Sequence, residues 1–306
     1  MRRKSRLTAS DFDPEVLRLF DQYVHGQIDR RGFLVAAARF AAGAAGAAGL
    51  LAALSPRFAE AQQIRPDDTR LTARHVEFPS PAGHGTGRGY LVRPARARRP
   101  LPVVLVVHEN RGLNPHIEDV ARRLALEQYI AFAPDALFPL GGYPGDEDQA
   151  RALFARLDQG KTREDFLAAA AFARTLEGSN GRLGVVGFCW GGQMSHFLAT
   201  RLPDLAAAAP FYGPAPTPEE AAKVKAELLV VLAANDDRVN TTWPPYRAAL
   251  DAAGVRYSVY QPPGTQHGFH NDTTPRYDQA AAREAWKRTL ALFERTLRAE
   301  RRRRKA

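Results

Sequence analysis

Apolar positions along this chain fall into two alternating patterns. One is the short continuous run, rich in β-branched residues, at 102–107, 129–133, 185–188, 205–211, 227–233 and 256–261. Runs of this kind predict strands buried on both faces of a sheet. The other is the longer stretch compatible with a helix, and it fills the intervals at 114–128, 146–157, 162–176, 193–201, 243–253 and 275–298. Start signals agree with these bounds. Asn114 precedes Pro115, an N-cap followed by proline in the first turn, and Asp146-Glu147-Asp148 puts negative charge where the helix dipole favours it. Segments 72–78 and 89–92 alternate instead, with a Gly/Pro-rich stretch between them, which predicts a β-hairpin. Together these elements predict an α/β fold: a doubly wound, mostly parallel sheet with helices on both faces. Its site is expected along the C-terminal edge of the strands.

The first sixty residues break from that pattern. Residues 13–24 have short helical character. Asp29-Arg30-Arg31-Gly32-Phe33-Leu34 then leads into a modestly apolar, Ala/Gly-rich segment at 35–54, followed by Ala59-Glu60-Ala61. Twin arginines, weak hydrophobicity and a small-x-small site predict an export leader handled by the twin-arginine machinery. The protein is then expected outside the cytoplasm. A retained leader is long enough to act as a membrane anchor, whereas no stable membrane insertion is expected after cleavage. The expected organisation is a leader at 1–61, one α/β domain at 62–300 and a basic tail at 301–306.

Composition narrows the function classes. A chain of 306 residues is long enough for a full-sized core. The net charge of +10 sits mainly at the ends: residues 1–61 carry +3 and Arg301 to Lys305 carry +5, leaving +2 for 62–300. With no basic groove interleaved with aromatics, nothing points to a nucleic-acid partner. A single cysteine excludes an intramolecular disulfide and any cysteine-rich zinc site.

That cysteine carries the chemistry. Val185-Val186-Gly187-Phe188-Cys189-Trp190-Gly191-Gly192 runs from a strand pattern into a helix pattern with Gly-x-Cys-x-Gly at the junction. A nucleophile on such a turn needs a strained backbone, and Gly187 and Gly191 let strand and helix approach. A buried cysteine is otherwise a small core hydrophobe, so partners decide the reading. His267 lies in a Gly-flanked loop before the last helix and is the candidate base, ahead of His270 in the same loop. Asp236 comes directly off the strand at 227–233 and is preferred as the acid over its neighbour Asp237; either could be a solvated turn carboxylate. Glu109 follows the strand at 102–107, near the expected elbow, where it could exchange a proton with the thiol or pair structurally with Arg111 or a backbone amide. The backbone amides of Trp190 and Asn110 are the candidate oxyanion donors.

Gly-Phe-Cys-Trp-Gly-Gly, His-Glu-Asn-Arg-Gly-Leu, Asn-Asp-Asp-Arg-Val-Asn and Gln-His-Gly-Phe-His, in that set, resemble the dienelactone hydrolase family over about residues 70–298. The similarity is strongest to a subgroup with a twin-arginine leader and the stretch Pro-Leu-Gly-Gly-Tyr-Pro-Gly-Asp-Glu-Asp at 139–148. The resemblance implies an α/β-hydrolase fold and carboxymethylenebutenolidase-like cleavage of a small-molecule ester or lactone through a thioester. It implies Cys189 as nucleophile, Asp236 and His267 as its triad partners, and Glu109 as the carboxylate that activates the thiol on substrate binding. It implies no metal and no organic cofactor. The chain departs from the family where an arginine holds the substrate carboxylate: here that position is Asn271, and only Arg151 is near the place of the other such arginine. Arg111 and Arg238 are the candidate anion-binding residues instead. The alternative is a hydrolase-fold binding or accessory protein without significant turnover.

Overall fold

The computed structural model describes residues 7–298; the basic tail at 301–306 lies outside them. Four helices come first: α1 (Pro14–Val24), α2 (Arg30–Ala37), α3 (Gly43–Leu54) and α4 (Phe58–Ala61). The body follows as β1 (Leu71–Ser80), β2 (Gly85–Pro94), β3 (Leu101–Val107), α5 (Pro115–Leu126), β4 (Ile130–Pro134), α6 (Glu147–Phe154), α7 (Gln159–Arg174) and β5 (Ser179–Phe188). It continues with α8 (Trp190–Arg201), β6 (Ala207–Phe211), β7 (Glu227–Val231), α9 (Asp237–Asn240), α10 (Trp243–Ala252), β8 (Tyr257–Tyr260) and α11 (Gln279–Phe293).

The eight strands form one sheet in the order β1-β2-β4-β3-β5-β6-β7-β8. β1 and β2 pair antiparallel, as do β2 and β4, and the remaining pairs are parallel. Strand period explains the two cores. Val103, Leu105 and Val107 of β3 face one side, with Phe166 of α7, Leu198 of α8 and Leu250 of α10. Val104 and Val106 face the other, with Ile117 and Leu124 of α5 and Phe293 of α11. Every residue of β3 is therefore buried, which is why its apolar run is continuous rather than alternating.

Capping sets several helix starts. Asn114 Oδ1 accepts from Ile117 N (3.2 Å) and Asp146 Oδ1 from Gln149 N (2.8 Å). The last helix begins at Gln279 rather than at 275, because Asp278 Oδ1 accepts from Ala281 N (2.9 Å) and fixes the start there. The hairpin is longer than its alternation predicts, with β1 and β2 in register from Leu71 and Pro94 to Ser80 and Gly85. Pro79 is tolerated because β1 is an edge strand.

Helices α1 to α3 build a third core of their own. Val16, Leu17, Phe20 and Tyr23 pack with Phe33, Ala37, Leu51 and Leu54. The twin arginines open α2, with Phe33 fully buried beneath them. Among the described residues no single helix is long and apolar enough to cross a membrane; only the bent pair Arg30–Phe40 and Ala45–Ala61 passes by length and composition. The segment meets the body through polar contacts. Arg151 Nη1 donates to the Tyr23 carbonyl (2.6 Å), Arg276 Nη1 lies 3.3 Å from Asp21 Oδ1, and Arg30 Nη1 lies 3.0 Å from Asp148 Oδ2.

Candidate active site

β5 ends at Phe188 and α8 starts at Trp190, so Cys189 alone makes the turn. Its φ is 55° and its ψ −114°, a left-handed conformation that a side-chain-bearing residue adopts only when its surroundings impose it. The glycines show how. A Cβ on Gly187 would lie 2.0 Å from the Gly191 carbonyl oxygen, and one on Gly191 would lie 2.3 Å from the Val107 carbonyl oxygen. Both obstacles are backbone, so neither can step aside. Gly187→Ala is therefore expected to destabilise the protein by about 3 kcal/mol or more. Urea titration followed by circular dichroism checks this; a change within experimental error would mean that strand and helix are free to separate.

His267 and Asp236 come from the loop after β8 and the end of β7. His267 Nδ1 donates to Asp236 Oδ2 at 2.6 Å, and both side chains are buried. Nε2 of His267 is buried without a hydrogen-bond partner, and donor atoms of His267, Cys189 and His25 lie within 4.8 Å of one another. Asp237 is exposed in the first turn of α9 and does not share this contact. His270 is buried on another side, stacked on Phe188 at 5.1 Å between ring centres. Burial pushes its ring down to about 3, which keeps it neutral.

The other expected residues are distributed differently. Glu109 Oε2 accepts from Asn271 Nδ2 (3.0 Å). The pairing of Glu109 with Arg111 is not what the structure forms: Arg111 Nε lies 3.6 Å from Glu147 Oε2, and its Nη1 donates to Asn110 Oδ1 (2.7 Å) and, more distantly, to the Val24 carbonyl. Arg238 Nη2 donates to His25 Nε2 (3.0 Å). Trp190 stacks on His108 at 5.3 Å, and its backbone amide belongs to the first turn of α8, where amides have no partner within the helix. A cavity of about 360 Å³ opens on Cys189, lined among others by His25, Arg151, Phe154, Trp190 and Arg238.

Comparisons with known proteins give the family. The sequence model described as the dienelactone hydrolase family matches residues 88–297. The chain belongs to the dienelactone hydrolase family. As a member it is a carboxylic ester hydrolase. A candidate carboxymethylenebutenolidase of Escherichia coli is 32% identical over 244 residues, covering 75% of this chain and 89% of that one. A candidate hydrolase fragment of the same species, YghX, is 53% identical over 105 residues, 34% of this chain and 90% of the fragment. The solved structure of a candidate dienelactone hydrolase from Klebsiella pneumoniae superposes with a TM-score of 0.64 at 30% identity, covering 72% of this chain and 98% of that one. A second sequence model, described as YqhI-like, matches residues 3–42.

In this dienelactone hydrolase-family site, electrostatics favour a thiolate. Burial pushes the Cys189 thiol up, but the charge of His267, the foremost opposing effect, outweighs it and the thiol comes down to about 6. For His267, burial works downward, while the negative sulfur and the Asp236 carboxylate raise it to about 10. Below the lower value the sulfur is protonated and inert; above it the thiolate reacts. The rate of Cys189 alkylation by iodoacetamide is therefore expected to rise through pH about 6 rather than 9.0, the ordinary thiol value. Quantifying the modified chain by mass spectrometry checks this, and a midpoint near 9 would mean that the imidazoles do not stabilise the anion.

Cys189, His25 and His267 are also a nitrogen and sulfur donor set of the kind that soft divalent ions take. The surroundings suit proton transfer better: Arg238 lies 3.0 Å from His25 Nε2, and a cation bound there would face that guanidinium. Sequence reasoning missed His25 entirely. It sits 164 residues before Cys189, and no local spacing links the two.

Proposed function

We propose that the protein hydrolyses an ester or lactone bond of a small molecule through a thioester on Cys189, with His267 and Asp236 completing the triad. The observation that carries this is the strained Cys189 facing the unpartnered Nε2 of His267, whose other ring nitrogen Asp236 holds at 2.6 Å. The thiolate attacks the carbonyl carbon, and the Trp190 and Asn110 amides stabilise the resulting oxyanion. His267 gives its proton to the departing alkoxide, leaving a thioester that water then cleaves. Glu109 is the further carboxylate that activates the thiol when substrate binds; reaching it requires exchange of the Asn271 partner. Arg238, on the cavity at Cys189, and Arg111, beside Glu109, are the proposed anchors for an anionic substrate group.

A panel of p-nitrophenyl esters and small lactones tests the reading, with intact-mass detection of an acyl group on Cys189. Turnover with a Cys189 adduct supports it. The absence of both across the panel would favour a binding or accessory role. Export by the twin-arginine machinery with the segment retained, and residence outside the cytoplasm, form a separate proposal supported by Arg30-Arg31-Gly32-Phe33-Leu34. Fractionation of expressing cells tests it: recovery from the periplasm supports it and recovery from the cytoplasm alone overturns it.

A further inference from the structure

The N-terminal segment delivers a second imidazole to the nucleophile. α1 ends at Val24, and the next residue, His25, has its Nε2 3.4 Å from Cys189 Sγ. The ring stands edge-on to His267, with centres 4.6 Å apart. It is held at its other end as a catalytic histidine is held: Nδ1 lies 2.8 Å from the Asp21 carbonyl oxygen and 3.3 Å from the Asp21 carboxylate. Asp21 in turn faces Arg276 at 3.3 Å. Two Asp–His pairs thus converge on one sulfur, Asp236–His267 from the body and Asp21–His25 from the segment. The segment does not fill the site, because the 360 Å³ cavity at Cys189 remains open with His25 as part of its wall.

The two rings have different partners. His267 has a buried carboxylate at 2.6 Å, which suits the imidazolium. His25 receives an N–H from Arg238 on Nε2, which requires a lone pair there and so a neutral ring with its proton on Nδ1. Once Arg238 turns away and releases that lone pair, the neutral imidazole at the cavity wall is a base for water.

We propose that His25 is a second catalytic base, acting on the water that cleaves the thioester, so that the N-terminal segment, retained rather than cleaved after Ala61, completes the active site. The proposal rests on the thioester reading above. In the first half-reaction His267 gives its proton to the leaving alkoxide and becomes neutral. In the second, water gives a proton to His25 Nε2 while its oxygen bonds to the acyl carbon, and the carbon–sulfur bond breaks with its electron pair going to Sγ. The acid product releases its own proton to solvent. The proton on His25 passes to His267 beside the thiolate, which restores the starting state.

The test uses the full chain with p-nitrophenyl acetate in stopped-flow and intact-mass experiments. His25→Ala and His25→Gln are expected to keep a rapid burst of p-nitrophenol while the steady-state rate falls by roughly 100-fold, with acetyl-Cys189 accumulating. Added imidazole is expected to restore the steady-state rate of His25→Ala. Asp21→Asn is expected to give a weaker form of the same effect. A steady-state rate within twofold of the unmodified protein overturns the proposal. So does a faster rate, which would make the segment an obstruction, and so does a lost burst without imidazole rescue, which would make His25 a packing residue. The reading beneath it fails separately, if the unmodified chain forms no acetyl-Cys189 or if Cys189→Ala still turns over.

Discussion

Replacing Cys189 by alanine is expected to remove ester hydrolysis, by a factor on the order of 10⁴ to 10⁶, while leaving the fold intact. The size of the effect follows from the role proposed for the sulfur, which is to form the bond that splits one difficult step into two. The fold is expected to survive because Cys189 is held by its backbone. Its amide donates to the Phe211 carbonyl (3.0 Å), its carbonyl accepts from Gly192 and Gln193, and none of these bonds needs the side chain. Alanine adds no atom at the crowded turn. Progress curves with p-nitrophenyl esters and a thermal melt measure both halves of the expectation. Hydrolysis within tenfold of the unmodified protein would remove Cys189 from the mechanism. Serine at the same position is expected to keep a little activity, since it retains a nucleophile that the imidazoles activate less readily.

The adjacent aspartates give the second large contrast. Asp236→Asn is expected to lower kcat by roughly 10³ to 10⁴ and Asp237→Asn by less than about twofold. Asp236 is buried against His267, where it orients the ring and stabilises its imidazolium. An amide there loses the charge and can turn an N–H toward Nδ1, forcing the wrong tautomer. Asp237 is exposed at the start of a one-turn helix, where loss of charge touches only the local dipole. Equal losses in the two variants would contradict the 2.6 Å contact as the functional one. The pH profile provides a second readout. Without the Asp236 charge the imidazolium is less favoured, so His267 is expected to lose its proton at lower pH and the alkaline limb of kcat/KM to move down.

Much of the fold was legible in the chain. Continuous apolar runs marked the parallel strands because those strands are covered on both faces, and Asn114 and Asp146 marked helix starts because capping is local chemistry. The late start of α11 was not legible. Pro275 looks like an N1 proline, yet the Asp278 cap three residues on decides the start, and choosing between them depends on the neighbouring loop. Within the site, the elbow could be read because its glycines are adjacent in sequence and each answers a clash with backbone. The partner of Glu109 could not be read: Asn271 lies 162 residues away, and the nearby Arg111 is drawn off by Glu147, Asn110 and the Val24 carbonyl.

The N-terminal segment marks the boundary most clearly. Sequence by itself determined the short helix at 13–24 and the twin arginines, since each depends on residues a few positions apart. It also marked the candidate nucleophile and the order of the candidate acid and base, because strained turns and strand ends carry local signatures. Only the tertiary structure decided that Asp236 and not Asp237 meets His267, and that His25 reaches Cys189. Both are contacts between side chains far apart in the chain, set by how α1 and the loops after β7 and β8 settle over the sheet edge, and no local periodicity encodes such a meeting.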